Sequence, residues 1–245
     1  MVANGCTDDT AEVAAAFGPP VRVVSIPVAS KTAALAAGDR AASGFPRCYV
    51  DADVETGAGD IRALAAALAQ PGVLAAGPQR VLGLAGRPWP VRWYYDVWSR
   101  LPEVREGLFG RGVVAVAGPG HQRVASLPPV MSDDLAMSLV FAPGERRVVP
   151  AARAVVHTPR TGADLLRRRV RAAQGVTELG RVPGAPGASA RTRLPDLAAM
   201  VHARPLLAPR VALFLAVALA ARLAARRAAA RGHAGWLRDE SSRGG

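Results

Sequence analysis

The sequence predicts an α/β protein, a mostly parallel sheet flanked by helices with an apolar helix at the C-terminal end. Three observations carry that expectation. Short apolar runs alternate with Ala-rich stretches over the first third of the chain, the pattern of strand–helix units whose strands pair in parallel. Half of the 245 residues are hydrophobic, enough to bury a substantial core. Residues 211–221 form an uninterrupted apolar run of 11 residues, followed by Arg222, Arg226, Arg227 and Arg231.

Met1-Val2-Ala3 has the character of a strand end, and Asn4-Gly5-Cys6-Thr7-Asp8-Asp9-Thr10 concentrates turn and N-cap residues ahead of a helical pattern over 10–17. Gly18-Pro19-Pro20 stops that helix, and residues 21–26 read as a buried strand. A second Ala-rich helix over 31–42 is ended by Gly44 and Pro46, before the strand Cys48-Tyr49-Val50. Residues 60–69 predict a third helix, 72–76 a short strand and 89–98 an aromatic-rich amphipathic helix. The apolar run 112–118 is bracketed by glycines and fits an interior strand whose ends approach another backbone or a ligand closely. Asp133-Asp134 opens a helical pattern through Leu139, and Arg147-Val148-Val149 reads as the last strand. Gly and Pro then dominate a stretch with little apolar content, which divides the chain into a domain at 1–179, a flexible linker at 180–198 and a basic apolar helical tail at 199–245.

The net charge of +12 is unevenly placed: residues 1–145 carry a net −2 and residues 146–245 a net +14. The excess accompanies apolar runs rather than interleaved aromatics, which points to anionic lipid head groups and not to nucleic acid. The 206–225 stretch approaches the ~20 residues of a spanning helix if Arg210 and Arg222 snorkel. Spanning, lying in the interface and packing on protein all stay open, with membrane association the favoured expectation. Two cysteines, Cys6 and Cys48, make no disulfide framework, so the expected place is the cytoplasm or the cytoplasmic face of a membrane. Among 31 basic residues Lys31 is the single lysine, a compact point charge by need or by chance.

Asp51-Ala52-Asp53 ends the apolar run 48–50, and alternation along an extended backbone would put both carboxylates on one side, within reach of one hard divalent cation, Mg²⁺ or Mn²⁺. An acidic pair at a strand end equally caps a helix or closes a turn. His121 and His157 have no second ligand at metal spacing and read as surface or packed histidines.

Taken in order, Asn4-Gly-Cys-Thr-Asp8-Asp9-Thr10, Lys31 before an Ala/Leu helix, Asp51-Ala-Asp53, Asp133-Asp134 and Arg168-Arg169-Val170-Arg171 resemble the family 2 glycosyltransferases of GT-A fold, over about residues 1–175. The resemblance implies a nucleotide-sugar donor held by Asn4, Asp8, Asp9 and Lys31, and a divalent cation on Asp51 and Asp53 that bridges the donor's diphosphate. It implies that Asp134 is the base that deprotonates an acceptor hydroxyl, on a lipid or a glycan, with inversion at the sugar. Asp133 stands where the family usually has glutamate. Arg168 and Arg171 match a Gln/Arg-x-x-Arg-Trp pattern in which Ala172 replaces the tryptophan. The physical chemistry agrees, since breaking a sugar–phosphate bond creates negative charge that cations stabilise, and a carboxylate takes the proton of the attacking hydroxyl. Each element has a plainer reading: Asp8-Asp9 and Asp133-Asp134 as helix caps, and residues 167–171 as a solvated helix face.

Two rival functions are weighed against this one. Phosphatases of the haloacid dehalogenase type also end a strand in Asp-x-Asp, but continue to a threonine where this chain has Glu55. The other rival is a membrane-surface scaffold that has kept the fold and lost catalysis. Members of the glycosyltransferase family begin with a strand of the type apolar run, Pro, x, Asn, Glu, which this chain does not carry. The expectation is a start upstream of Met1 or a truncated copy, unstable or inactive as written, because neighbouring strands would expose unpaired backbone. Expression with upstream codons restored should raise stability and turnover; equal values for both forms would refute this.

Overall fold

A computed structural model describes residues 1–130, 132–181 and 192–230. The chain forms two compact units, Met1–Phe45 and the residues from Pro46 onward. In the first unit β1 (Val2–Asn4) and β2 (Val24–Ile26) pair in parallel, with Asn4 opposite Ile26. The helices α1 (Thr10–Ala15) and α2 (Lys31–Ala41) follow the two strands. Ser30 caps α2 by accepting the Ala33 N–H at 3.3 Å. The strand expected from residue 21 begins only at Val24, because the Val21 N–H donates to Gly18 O at 2.8 Å and so closes a turn.

The second unit runs β3 (Arg47–Val50), β4 (Val54–Glu55), α3 (Ala58–Leu68), β5 (Ala75–Gly83), α4 (Trp89–Trp98), α5 (Pro102–Glu106) and β6 (Val113–Val116). It continues with α6 (Gly118–Ala125), α7 (Asp133–Leu139), β7 (Arg146–His157), α8 (Gly162–Leu179), α9 (Leu194–Ala203) and, after a 3-10 turn at Pro205–Leu207, α10 (Ala208–Ala230). The linker expected at 180–198 lies largely outside the described residues, and α9 takes up its last positions.

The α/β class, the flanking helices and the C-terminal apolar helix are as the sequence predicts. Strand direction is not: the five-stranded sheet, in the order β3-β6-β5-β7-β4, is mixed rather than mostly parallel. β5 and β7 are parallel, as are β1 and β2 in the first unit, whereas β6 runs antiparallel to both β3 and β5, and β4 antiparallel to β7. Alternating strands and helices imply parallel pairing only if each helix crosses between neighbours, and here β6 inserts between β3 and β5 in the opposite sense.

β7 is also far longer than the expected 147–149. Its pairing with β5 shifts register between Pro78 and Gln79, so that Val149 and Arg153 face consecutive residues of β5. Pro78 and Pro150 both sit at this irregularity, where a missing N–H costs no ladder bond.

α3 buries Leu64, Ala67 and Leu68 against Val113, Ala115, Val149 and Ala154 of the sheet. A second core joins α4, α8, α9 and α10 through Val91, Tyr94, Leu165, Leu197, Val211 and Phe214. Tyr94 stacks on Phe214 at 4.9 Å, and burial pushes its phenol up to about 12. Arg210 pairs with Asp96, and farther along α10 Ala221 and Ala225 pack on Val170 of α8. One face of α10 therefore rests on protein, while Leu215, Leu219 and Leu223 point outward. By length and composition Pro205–Ala230 would also suffice to cross a membrane.

β3 and β4 lie at opposite ends of the strand order, yet only three residues, 51–53, connect them. Five strands laid flat would put the outer two about 19 Å apart. The link from Val50 to Val54 reaches at most about 14 Å. The sheet meets this by opening between β5 and β6, which pair only through Ala75 and Ala76, and by letting its edges converge on Gly112. Asp51 N–H donates to Gly112 O at 2.8 Å, and a Cβ on Gly112 would collide with the Val54 side chain. Gly112 also has φ +69°, a left-handed conformation that other residues adopt at a cost of about 1–2 kcal/mol. Gly112→Ala should therefore lower unfolding stability by at least about 2 kcal/mol in denaturant titration, strain and overpacking combined.

Candidate active site

The segment 107–112 fills the gap between β5 and β6, and both sequence-predicted acidic motifs of the second unit reach it. On one side the Asp51 backbone is bonded to Gly112. On the other, Asp134 at the start of α7 accepts the Gly110 N–H on Oδ2 at 2.7 Å and the Leu135 N–H on Oδ1 at 2.7 Å. Ser138, one turn along α7, accepts the Leu108 N–H at 2.9 Å. Asp133 occupies the first residue of α7. Asp51-Ala52-Asp53 itself is the turn between β3 and β4, not a continuation of the strand. The alternation argument for a shared side therefore does not apply; Asp51 is half-buried and Asp53 exposed.

Two arginines hold the segment in place, and neither was singled out in the sequence. Arg111 is buried and spends its guanidinium on backbone oxygens: Nε to Gly107 O at 2.8 Å, Nη1 to Pro78 O at 2.8 Å, and Nη2 to Arg105 O at 2.8 Å and Val104 O at 3.2 Å. Burial draws its pKa down to about 10. Arg80, on β5, donates from Nε to Gly110 O at 2.5 Å and from Nη2 to Phe109 O at 2.8 Å, with its guanidinium 4.4 Å from the centre of the Trp98 ring. Burial and the nearby Arg111 draw it down to about 9, with Asp134 opposing, so it stays charged at neutral pH. A signal existed: residues 107–112 hold three glycines, and Arg80 is a lone charge in a strand that the sequence reading ended too early, at residue 76.

Arg168 and Arg171 lie one turn apart on α8, whose N-terminus Thr161 caps by accepting the Asp164 N–H at 3.1 Å. Arg168 Nη1 donates to His157 O at 2.9 Å, which ties it to the end of β7, and the His157 ring meets Glu55 of β4 at 3.1 Å. Arg168 is also among the charges that Arg80 senses. At its far end α8 approaches the start of α7 through Gly175, where a Cβ would run into Ser132.

In the first unit, Asn4 ends β1 and Lys31 opens α2 directly after β2, so both follow the C-terminal ends of adjacent parallel strands. The two loops touch, since a Cβ on Gly5 would meet Ala29 at 2.7 Å. Asp8 accepts the Thr10 N–H at 3.2 Å and the Thr10 hydroxyl at 2.5 Å. Asp9 stands at the N-cap of α1 but its side chain makes no capping bond.

No protein-family model matches the sequence, and no curated protein matches it either. Solved structures do match. The mannosyltransferase PcManGT from Pyrobaculum calidifontis, in complex with GDP-Man and Mn²⁺, superposes with a TM-score of 0.55 at 25% identity, over 96% of this chain and 66% of that one. The chain has a GT-A fold. Glucosyl-3-phosphoglycerate synthase from Mycobacterium tuberculosis, in complex with phosphoglyceric acid, matches this GT-A chain with a TM-score of 0.52 at 21% identity, over 76% and 69% of the two chains. A mycobacterial protein matches with a TM-score of 0.50 at 21% identity, over 76% and 65%. The chain thus spans roughly two thirds of the length of each of these proteins.

Among the described residues of this GT-A chain no three His, Cys, Asp or Glu side chains cluster as a metal cage. Asp51 and Asp53 carry carboxylate oxygens, the ligand type of a hard cation, which commonly takes one or two carboxylates and leaves its other positions to water and phosphate oxygens. The packing of α8 on α7 offers a test of the geometry. Gly175→Ala should displace Ser132 and with it the Asp134 carboxylate, lowering turnover about tenfold or more while melting temperature falls by only a few degrees.

Proposed function

We propose that the protein is a metal-dependent glycosyltransferase that moves a sugar from a nucleotide-diphosphate donor to an acceptor hydroxyl, with inversion at the sugar carbon. The observation that carries this reading is the single segment, 107–112, to which both Asp51 and Asp134 are bonded, within a GT-A fold. The neighbour bound to GDP-Man and Mn²⁺ supports the donor class.

In this reading Asp134 takes the proton of the acceptor hydroxyl as that oxygen attacks the anomeric carbon. The bond from sugar to phosphate breaks on the opposite side, and the electron pair leaves with the nucleoside diphosphate. Arg168 and Arg171 stabilise the charge that develops on this leaving group. Asp51 and Asp53 would hold a divalent cation, Mg²⁺ or Mn²⁺, which when bound neutralises the donor's diphosphate. Asp133 is assigned to the donor side, and the first unit's loops, with Asn4, Asp8, Asp9 and Lys31, to the nucleotide. Glu55, which stands where a dehalogenase-type phosphatase carries threonine, is engaged with His157 instead.

The acceptor is a lipid or a glycan, and the chain works at the cytoplasmic face of a membrane. The outward leucines of α10 and the basic side chains of Arg222, Arg226 and Arg227 support attachment to an anionic lipid surface. Arg231 lies outside the described residues.

A panel of nucleotide sugars with Mn²⁺, read as release of the nucleoside diphosphate, tests the assignment. One donor should turn over, EDTA should abolish the reaction, and Asp134→Asn should lower the rate about 10²–10⁴-fold. Full activity of Asp134→Asn would remove that residue as the base; neither binding nor turnover with any donor would remove the reading itself.

A further inference from the structure

We propose that Arg80 is a positioning residue for the Asp134 carboxylate, acting through the peptide bond between Phe109 and Gly110; the inference rests on the glycosyltransferase reading above. That peptide is engaged at both ends. Its carbonyl, Phe109 O, accepts from Arg80 Nη2 at 2.8 Å, and its N–H, on Gly110, donates to Asp134 Oδ2 at 2.7 Å. A trans peptide is planar and holds its C=O and N–H pointing opposite ways, so fixing the oxygen from one side aims the hydrogen to the other. The second arm of the fork, Nε to Gly110 O at 2.5 Å, holds the following peptide, between Gly110 and Arg111, so that Arg80 grips the chain on both sides of the Gly110 Cα.

The guanidinium is in turn fixed by the face of Trp98, 4.4 Å away. The result is a chain of cation, peptide and carboxylate in which each bond polarises the next. Asp134 thereby has one oxygen on Gly110 and the other on Leu135, and each oxygen keeps a lone pair for the acceptor's proton.

Arg111 shows what a purely structural staple in the same segment looks like. The peptide it grips by Gly107 O passes its N–H, on Leu108, to the Ser138 hydroxyl one turn farther along α7. No bond from Arg111 leads to the carboxylate.

The test uses the full chain with Mn²⁺ and GDP-mannose, or the donor that the parent turns over best. Arg80→Gln should lose about a hundredfold in kcat, the scale of a misplaced catalytic group, with donor KM within about threefold of the parent. Added guanidinium should restore part of the loss, and the Gly110 amide should exchange faster with solvent. Should Arg80→Gln not fold, Arg80→Lys, which keeps the cation and loses the fork, is expected to show the same split. An unchanged kcat, a loss confined to KM, or no rescue by guanidinium would overturn the positioning role. A parent inactive with every nucleotide sugar would instead overturn the functional reading on which it rests.

Discussion

Three residues cannot reach across a flat sheet of five strands, and the chain nevertheless asks residues 51–53 to join the two outermost ones. The sheet has to open and curl, and Gly112 is where its edges come together, because no side chain would fit against Val54 there. Most of the proposed site follows from that closure. It puts Asp51 and Asp53 in the turn between β3 and β4, and lets residues 107–112 bond to both that turn and α7.

Holding such a segment needs hydrogen-bond donors in a place with little water. The chain supplies two guanidinium groups, Arg80 and Arg111, whose partners are backbone oxygens and not carboxylates. Withdrawing a cation from water is costly, and the drop in both pKa values reports that cost. Several oriented carbonyls offset it, since bonds to a charged donor contribute about 1.5–3 kcal/mol each. An apolar filler could plug the gap but could not orient peptides, and the orientation of the 109–110 peptide is what reaches Asp134.

The C-terminal helix illustrates how one composition serves two surroundings. Val211, Phe214, Ala221 and Ala225 recur at near-helical spacing and are buried against α4 and α8, so part of the apolar run belongs to the protein core. Leu215, Leu219 and Leu223 form the opposite face and are exposed. A run that is apolar all round carries no periodicity with which to tell these faces apart, which is why spanning, surface and packed readings all stayed open in sequence.

Much of the chain was legible without coordinates. Capping and breaking residues such as those of Asn4–Thr10, Gly18-Pro19-Pro20, and Gly44 with Pro46 act within a few positions, so several helices and strands could be read from neighbours alone. The order of the acidic and basic motifs also identified the fold. What only the tertiary structure decided is whatever depends on residues distant in sequence: that β6 enters backwards, that β5 and β7 continue past residues 76 and 149 through one shared irregularity, and that Arg80 lies one peptide away from Asp134. Local sequence encodes the periodicity and ends of an element; strand direction and peptide orientation arise from contacts between elements, and no single stretch of chain contains them.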